Sequence, residues 1–336
     1  MTNHHRIAAF LSMVMLLFIM GGCGQPADNS QLVLADSLLT QNQSEQALQM
    51  LDVLNTTSFN HHDQAYHALL ITQAQQAEHI MATSDSIINE AVKYYQSHDD
   101  PEKLARSLLY QGCVNKDLGF LDKAITSLRQ AEDAASADDL KNRAMAKMMM
   151  GELYQSQIIG AKTLGASKYR EALDLFTQLD DKHNQIICLS ELGGLYRINQ
   201  EKQDSALYYI NAAISLAIRE IAPAYVVANY FSRAEYRAAR GDYQGAKDDA
   251  IEAISWKGKL KIHPRIHYTA ASAYLHLGRA DSARYYLRQA PAMTSVADSI
   301  MYYQLLADLA RHENRVDDAI TYLNLTHHLA DSVTVN

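Results

Sequence analysis

The sequence predicts an all-α protein made of repeated helix–turn–helix hairpins, and three observations carry that prediction. From 31 to 331 one phrase recurs: a small residue, an apolar or aromatic residue four later, and another packing residue three after that. Its clearest copies are Ala172/Phe176/Leu179, Ala206/Ile210/Ala213, Ala246/Ala250/Ala253 and Ala283/Leu287/Ala290, the first two starting thirty-four residues apart. A fixed period of this length is the mark of a repeat architecture, and residues four and three apart share one helix face. Five prolines and fourteen glycines are few for 336 residues, and a hydrophobic content of 48% supports a true core. No segment reads as a strand array with regular turn signals.

Along the chain, 1–22 reads as a targeting segment. Arg6 precedes a short apolar run, Ile7–Met20, and Gly21 and Gly22 lie before Cys23. The run is short for a bilayer span and fits a secretory signal. Residues 23–30 make a brief polar tether, and 332–336 a short tail. Between them, the small residue of each second helix falls at Ala47, Ala91, Ala124, Ala172, Ala206, Ala246, Ala283 and Ala319. First helices carry a small residue with an aromatic three later, as in Gly151/Tyr154, Gly193/Tyr196 and Ala271/Tyr274. Turns are marked by Gly119, Gly241 and Gly278, where a residue free to adopt positive φ ends a helix cheaply. Gly160–Gly165 lies in an extra stretch that lengthens a loop or extends a helix, and Gln203-Asp204 replaces the turn glycine of the next hairpin. Cys113 and Cys188 are expected as buried small hydrophobes.

Two resemblances follow from these residues. The hairpins, with the stretch RGDYQGAKDDAIEAI from Arg240 and the segment from His267 to Pro291 as the best copies, resemble the tetratricopeptide repeat family over 31–331. That resemblance implies a right-handed superhelical α-α solenoid of about seven hairpins. The segment Ala65–Tyr95 is similar to repeat-containing lipoproteins of the Bacteroidota type. Met20-Gly21-Gly22-Cys23 resembles a lipobox. Its implication is that the Cys23 thiol takes a diacylglyceryl group and its freed amine an acyl chain such as palmitate; two or more chains give stable membrane attachment. Gly24 after the cysteine implies the outer membrane facing the periplasm, with display on the cell surface as the alternative.

Chemistry is harder to place. Net charge is −8, and no Lys/Arg run is present, which disfavours a nucleic-acid partner. G-x-S-x-G, H-E-x-x-H and Walker patterns are absent from the sequence, so no catalytic residue, metal site or cofactor is assigned. His263 and His267 have ligand spacing, but Pro264 is expected to put His263 outside the helix. The pairs Asp180-Asp181, Asp248-Asp249 and Asp317-Asp318 are expected on solvated faces. Most histidines are expected in loops or on the surface. The tyrosine doublets at 94, 208, 285 and 302 are expected to send one ring inward and the other to the rim.

By resemblance to the repeat family, first-helix residues between the packing positions line a concave groove. These are Met148, Glu152 and Gln155; Ser190, Gly194 and Arg197; Phe231, Glu235 and Ala238; Tyr268, Ser272 and Leu275; Gln304, Asp308 and Arg311. No ring of Lys and Asn, of the kind that clamps a free C-terminal carboxylate in some relatives, is among them. The sequence therefore points to a non-enzymatic, lipid-anchored scaffold that binds a peptide or helix of another cell-envelope protein. The alternative is the periplasmic sensory portion of a signalling system, a shortened relative of repeat-containing regulators.

Overall fold

The computed structural model describes residues 29–156, 162–198 and 203–334. The expected leader, Cys23 and most of the expected tether lie outside the described residues. Among the described residues every regular element is helical. The chain divides into two compact units, Met1–Ala134 and Ala135–Asn336.

Unit 1 holds three hairpins. They are α1 (Ser30–Thr40) with α2 (Ser44–Asp52), α3 (His61–Ala77) with α4 (Ser86–Gln96), and α5 (Pro101–Asp117) with α6 (Leu121–Ala134), with a single 3₁₀ turn at Thr56–Ser58. Local chemistry sets the starts. Asn60 accepts from the Asp63 amide at 2.9 Å, Asp100 accepts from the Lys103 amide at 3.0 Å, and Pro101 occupies the first turn of α5, where its missing N–H is not needed. The core is a chain of clusters: Leu32, Leu51, Tyr66 and Leu70 in one, Leu69, Ile88, Tyr95 and Val114 in the next.

Unit 2 holds five hairpins. They are α7 (Leu140–Ser156) with α8 (Lys162–Gln178), α9 (Lys182–Ile198) with α10 (Gln203–Arg219), α11 (Pro223–Ala238) with α12 (Tyr243–Ser255), α13 (Arg265–His276) with α14 (Ala280–Gln289), and α15 (Val296–His312) with α16 (Val316–Thr334). Each second helix packs on its own first helix and, in turn, on the first helix of the next hairpin. Trp256 closes the C-terminal end of α12 and packs with Val227, Phe231, Ile254 and Ile266.

The small residue of every second helix is buried. Ala47, Ala91, Ala124, Ala172, Ala206, Ala246 and Ala283 are each 0% exposed and Ala319 is 4% exposed, so the described residues hold eight hairpins rather than about seven. A larger side chain there would force the paired helices apart. The first helices are equally tight: a Cβ on Gly151 would sit 3.0 Å from the Tyr169 ring, and one on Gly193 would sit 2.6 Å from Ile210 Cγ1. The third beat of the phrase is weaker. Ala213 and Ala253 are buried, but Leu179 is 38% exposed because α8 ends one residue before it, and Ala290 lies beyond the end of α14.

Gly119, Gly241 and Gly278 take positive φ of 78°, 80° and 71°. The next residue closes the turn on the helix, as where the Asp242 amide donates to the Arg237 carbonyl at 3.0 Å. Asn42 and Asn314 take the same conformation in the first and last hairpins, φ 58° and 57°. Gly165 belongs to α8 rather than to a loop. A Cβ on it would lie 3.1 Å from the Gly151 carbonyl, so this glycine lets α8 close on α7.

Cys113 and Cys188 are free thiols, 4% and 0% exposed, and burial pushes the Cys188 thiol up to about 12. Pro264 caps α13 and leaves His263 outside it. One expectation fails. Asp249 is not on a solvated face: it is 2% exposed and receives Arg233 Nε at 2.9 Å, Arg233 Nη2 at 2.7 Å and Arg237 Nη1 at 3.0 Å. His267, within α13, is an exception among the histidines, 2% exposed. Among the doublets, Tyr208 and Tyr285 are exposed while Tyr209 and Tyr286 stack on Tyr196 and Tyr274 of their partner helices.

Candidate functional site

Among the first helices of unit 2, α7, α9, α11 and α13 are joined by side chains that bond from one helix to the next, most of them partly exposed and Asn229 buried at 2%. Gln155 Nε2 donates to Glu191 Oε2 at 2.8 Å, joining α7 to α9. Asn229 Nδ2 donates to Ser190 Oγ at 2.8 Å, joining α11 to α9, while Ser190 returns its own proton to the Ile186 carbonyl. Arg197 Nη1 donates to Glu235 Oε2 at 2.8 Å, and Arg265 Nη2 donates to Glu235 Oε1 at 2.8 Å. One carboxylate on α11 thus sits between two guanidinium groups, one from α9 and one from α13. Their side chains are 33% exposed at Arg197, 22% at Glu235 and 48% at Arg265.

A cleft of about 260 Å³ opens between α13 and α15. Ser272, Leu275 and His276 line it from α13, and Leu305, Asp308, Arg311 and His312 from α15. Arg311 Nη1 lies 3.2 Å from Asp308 Oδ1, so the cleft presents a balanced ion pair at its edge. The His276 ring stacks on Tyr243 with centroids 3.9 Å apart and planes at 7°, which holds the imidazole against the end of α12.

The expected groove residues divide between these features. Arg197 and Glu235 are brought together directly, and Ser272, Leu275, Asp308 and Arg311 share the cleft. Met148 is partly buried against the core and Glu152 is exposed, both on α7. Phe231 is half-buried beside Val227, Ile266 and Trp256. Tyr268 is not a groove residue. It is 1% exposed, packs with Leu275, Leu287 and Leu305, and lies with its ring centroid 5.7 Å from that of Tyr302. Burial, with Asp298 and Tyr302 nearby, pushes its hydroxyl up to about 12. Helix α13 is short and flanked by α12, α14 and α15, so nearly every residue of its first two turns faces protein.

Arg265 and Glu191 belong to the face, and buried Asn229 supports it from beneath, but residue spacing does not single out any of the three. Arg265 is the first residue of α13, and helix ends are the least certain part of a sequence-derived register. The one usable signal was its place directly after Pro264, which starts the helix there.

No protein-family model matches the sequence, and no curated protein matches it. Solved structures do. The apo form of RapI superposes with a TM-score of 0.67 at 13% identity, covering 91% of this chain and 98% of that one. The fold is a tetratricopeptide-like helical repeat. The apo quorum sensor NprR from B. thuringiensis is similar at TM-score 0.57 and 13% identity, covering 90% of this chain and 98% of its own. A Rap protein in complex with Competence and Sporulation Factor is similar at 0.55 and 13%, covering 91% and 98%. At this identity the likeness shows the fold alone, that of solenoid proteins built from such hairpins.

Proposed function

We propose that this chain is a non-enzymatic binding scaffold whose first-helix face in unit 2 takes a peptide segment or helix of another cell-envelope protein, and that acylated Cys23 tethers it to a membrane. The observation that carries the binding reading is the face itself. Partly exposed side chains from α7 to α13 are fixed by bonds between helices, and beside them a cleft between α13 and α15 is lined by Asp308 and Arg311. Fixed, partly exposed polar groups beside a half-buried aromatic such as Phe231 suit a segment lying across several helices. A ligand-bound protein of the same fold, the Rap protein above, supports the same direction. The anchor rests on the lipobox resemblance at Cys23.

Affinity capture from detergent-solubilised envelopes tests the face. Phe231→Ala combined with Arg311→Ala should deplete a partner that the wild type recovers, and equal recovery would remove the face as the binding surface. For the anchor, Cys23→Ala should move the protein to the soluble fraction, and retention with membranes would point to another means of attachment. The sensory reading is favoured by the likeness to a quorum sensor. It predicts that deleting the gene changes the transcriptional profile, and an unaltered profile would set it aside.

A further inference from the structure

We infer that Arg197 and Arg265 form the recognition point for an acidic side chain, Asp or Glu, within the bound segment; this rests on the binding face proposed above. The two guanidinium groups come from α9 and α13 and converge on the two oxygens of a single carboxylate, Glu235 of α11. Among the described residues, each of the two makes its one hydrogen bond to Glu235. A guanidinium carries five N–H donors, so most of the donor capacity of both groups is unused by the protein. Their side chains are 33% and 48% exposed, which leaves those donors within reach of a ligand.

Charge favours the same partner. Two cations and one anion leave the cluster at +1 in a chain whose formal net charge is −8. By contrast, the Arg311/Asp308 pair is balanced, and Glu191 is occupied by Gln155. A basic ligand would meet two like charges before reaching Glu235. A carboxylate would complete paired N–H···O bonds with either arginine, the geometry in which arginine binds most strongly. Glu235 keeps the two arginines a fixed distance apart and weakens the site, so it sets both position and strength.

A free anion is the less suitable ligand. Exposed ion pairs contribute little each, so a small carboxylate or phosphate alone gains little here. A segment that also packs on Phe231 and enters the cleft by Ser272 and Arg311 adds its acidic contact to several others at high local concentration.

The experiment is selection of a displayed library of random twelve-residue peptides, fused at their C-termini so that no free carboxylate end is offered, on the full mature chain. Expected is enrichment of Asp or Glu at one position over the unselected library. The best peptide should bind about fivefold or more weakly to Arg197→Met/Arg265→Met, and changing its acidic residue to the amide should remove that difference. Glu235→Gln should bind the same peptide about two- to fivefold more tightly, because a competing carboxylate is gone. A purely structural cluster would instead weaken binding in both variants. Should the double variant fail to fold, as judged by circular dichroism, the Glu235→Gln result decides alone.

Peptides selected without an acidic preference, or with affinities that these substitutions leave unchanged, would overturn the inference and spare the binding face. No enriched peptide at all would overturn both. Inorganic phosphate or succinate raising the melting temperature of the wild type but not of the double variant, with no acidic enrichment, would assign the cluster to free anions and overturn it as well.

Discussion

Asp36→Asn should loosen unit 1 in a way that depends on pH. Asp36 on α1 accepts Arg106 Nη1 at 3.1 Å and Nη2 at 2.5 Å, although seventy residues separate the two in sequence. Tyr66 of α3 donates its hydroxyl to the same carboxylate, and Arg106 Nε donates to Gln73 Oε1 at 2.7 Å. One ion pair therefore ties the first helices of three successive hairpins. Side-chain exposure is 16% for Arg106 and 23% for Asp36. Leaving a fully buried charge without its partner costs about 3–5 kcal/mol, and the remaining access to water lowers the expected loss to about 2–3 kcal/mol.

Burial pushes the Asp36 carboxyl up, but the hydrogen bonds and charge of Arg106, with Tyr66 and Lys103, outweigh it and hold the group below the usual carboxylate range. The unfolded chain takes up this proton near pH 4 and the folded chain only at lower pH, so stability rises with pH between the two. The contribution is complete above about pH 5 and disappears as the pH falls through the folded-state value. Hydrogen exchange of peptides from α1, α3 and α5 at pH 7 should show the loss locally, and urea unfolding at pH 7 and in the acid range should show the wild type and variant converge. A loss under about 1 kcal/mol at pH 7, the size of an exposed pair, would refute the assignment. So would a difference that stays constant through the acid range.

Three further outcomes are expected. Gly193→Ala should destabilise by about 1–3 kcal/mol, because its Cβ would meet Ile210 Cγ1 at 2.6 Å and the Ile210 amide nitrogen at 3.3 Å, whereas Gly194→Ala, with nothing within 4 Å, should be neutral or stabilising by up to about 1 kcal/mol; urea midpoints compare them. Ile221 is 80% exposed and held at φ 51°, so Ile221→Gly should raise stability by about 0.5–1 kcal/mol, read as a higher melting temperature. Burial, and secondarily Lys257, lowers the affinity of His267 for a proton. Its contribution is present above about pH 6.5 and lost as the pH falls toward the folded-state value, and His267→Phe should flatten that part of the stability profile.

Much of the fold could be read from the chain because its packing is local and periodic. The eight alanines sit at helix–helix contacts that tolerate nothing larger, so the same residue type recurs at each, and the turn glycines recur because each ends a helix with positive φ. Asn42 and Asn314 perform that role without the expected letter, which hid two turns. The face was harder to read. Arg197 and Glu235 lay at the expected spacing on consecutive first helices, but Tyr268 occupied an equivalent place and turned inward because α13 is enclosed by its neighbours. Asp249 resembled any surface acid until Arg233 and Arg237 were placed beside it. Asp36 and Arg106 are seventy residues apart, and no periodicity connects them. Pairings between helices depend on how far each long side chain reaches, a quantity that residue spacing does not encode.

Trp256 gives this molecule its own optical reporter. It is the single tryptophan among twenty tyrosines, and it packs beside Phe231 and Tyr230 on the helix that carries Glu235. Tyrosine emission overlaps indole absorption, so light absorbed by nearby rings drains toward this one fluorophore. A segment settling against Phe231 would change the polarity around the indole and shift its emission, and binding to the face becomes a titration needing no label.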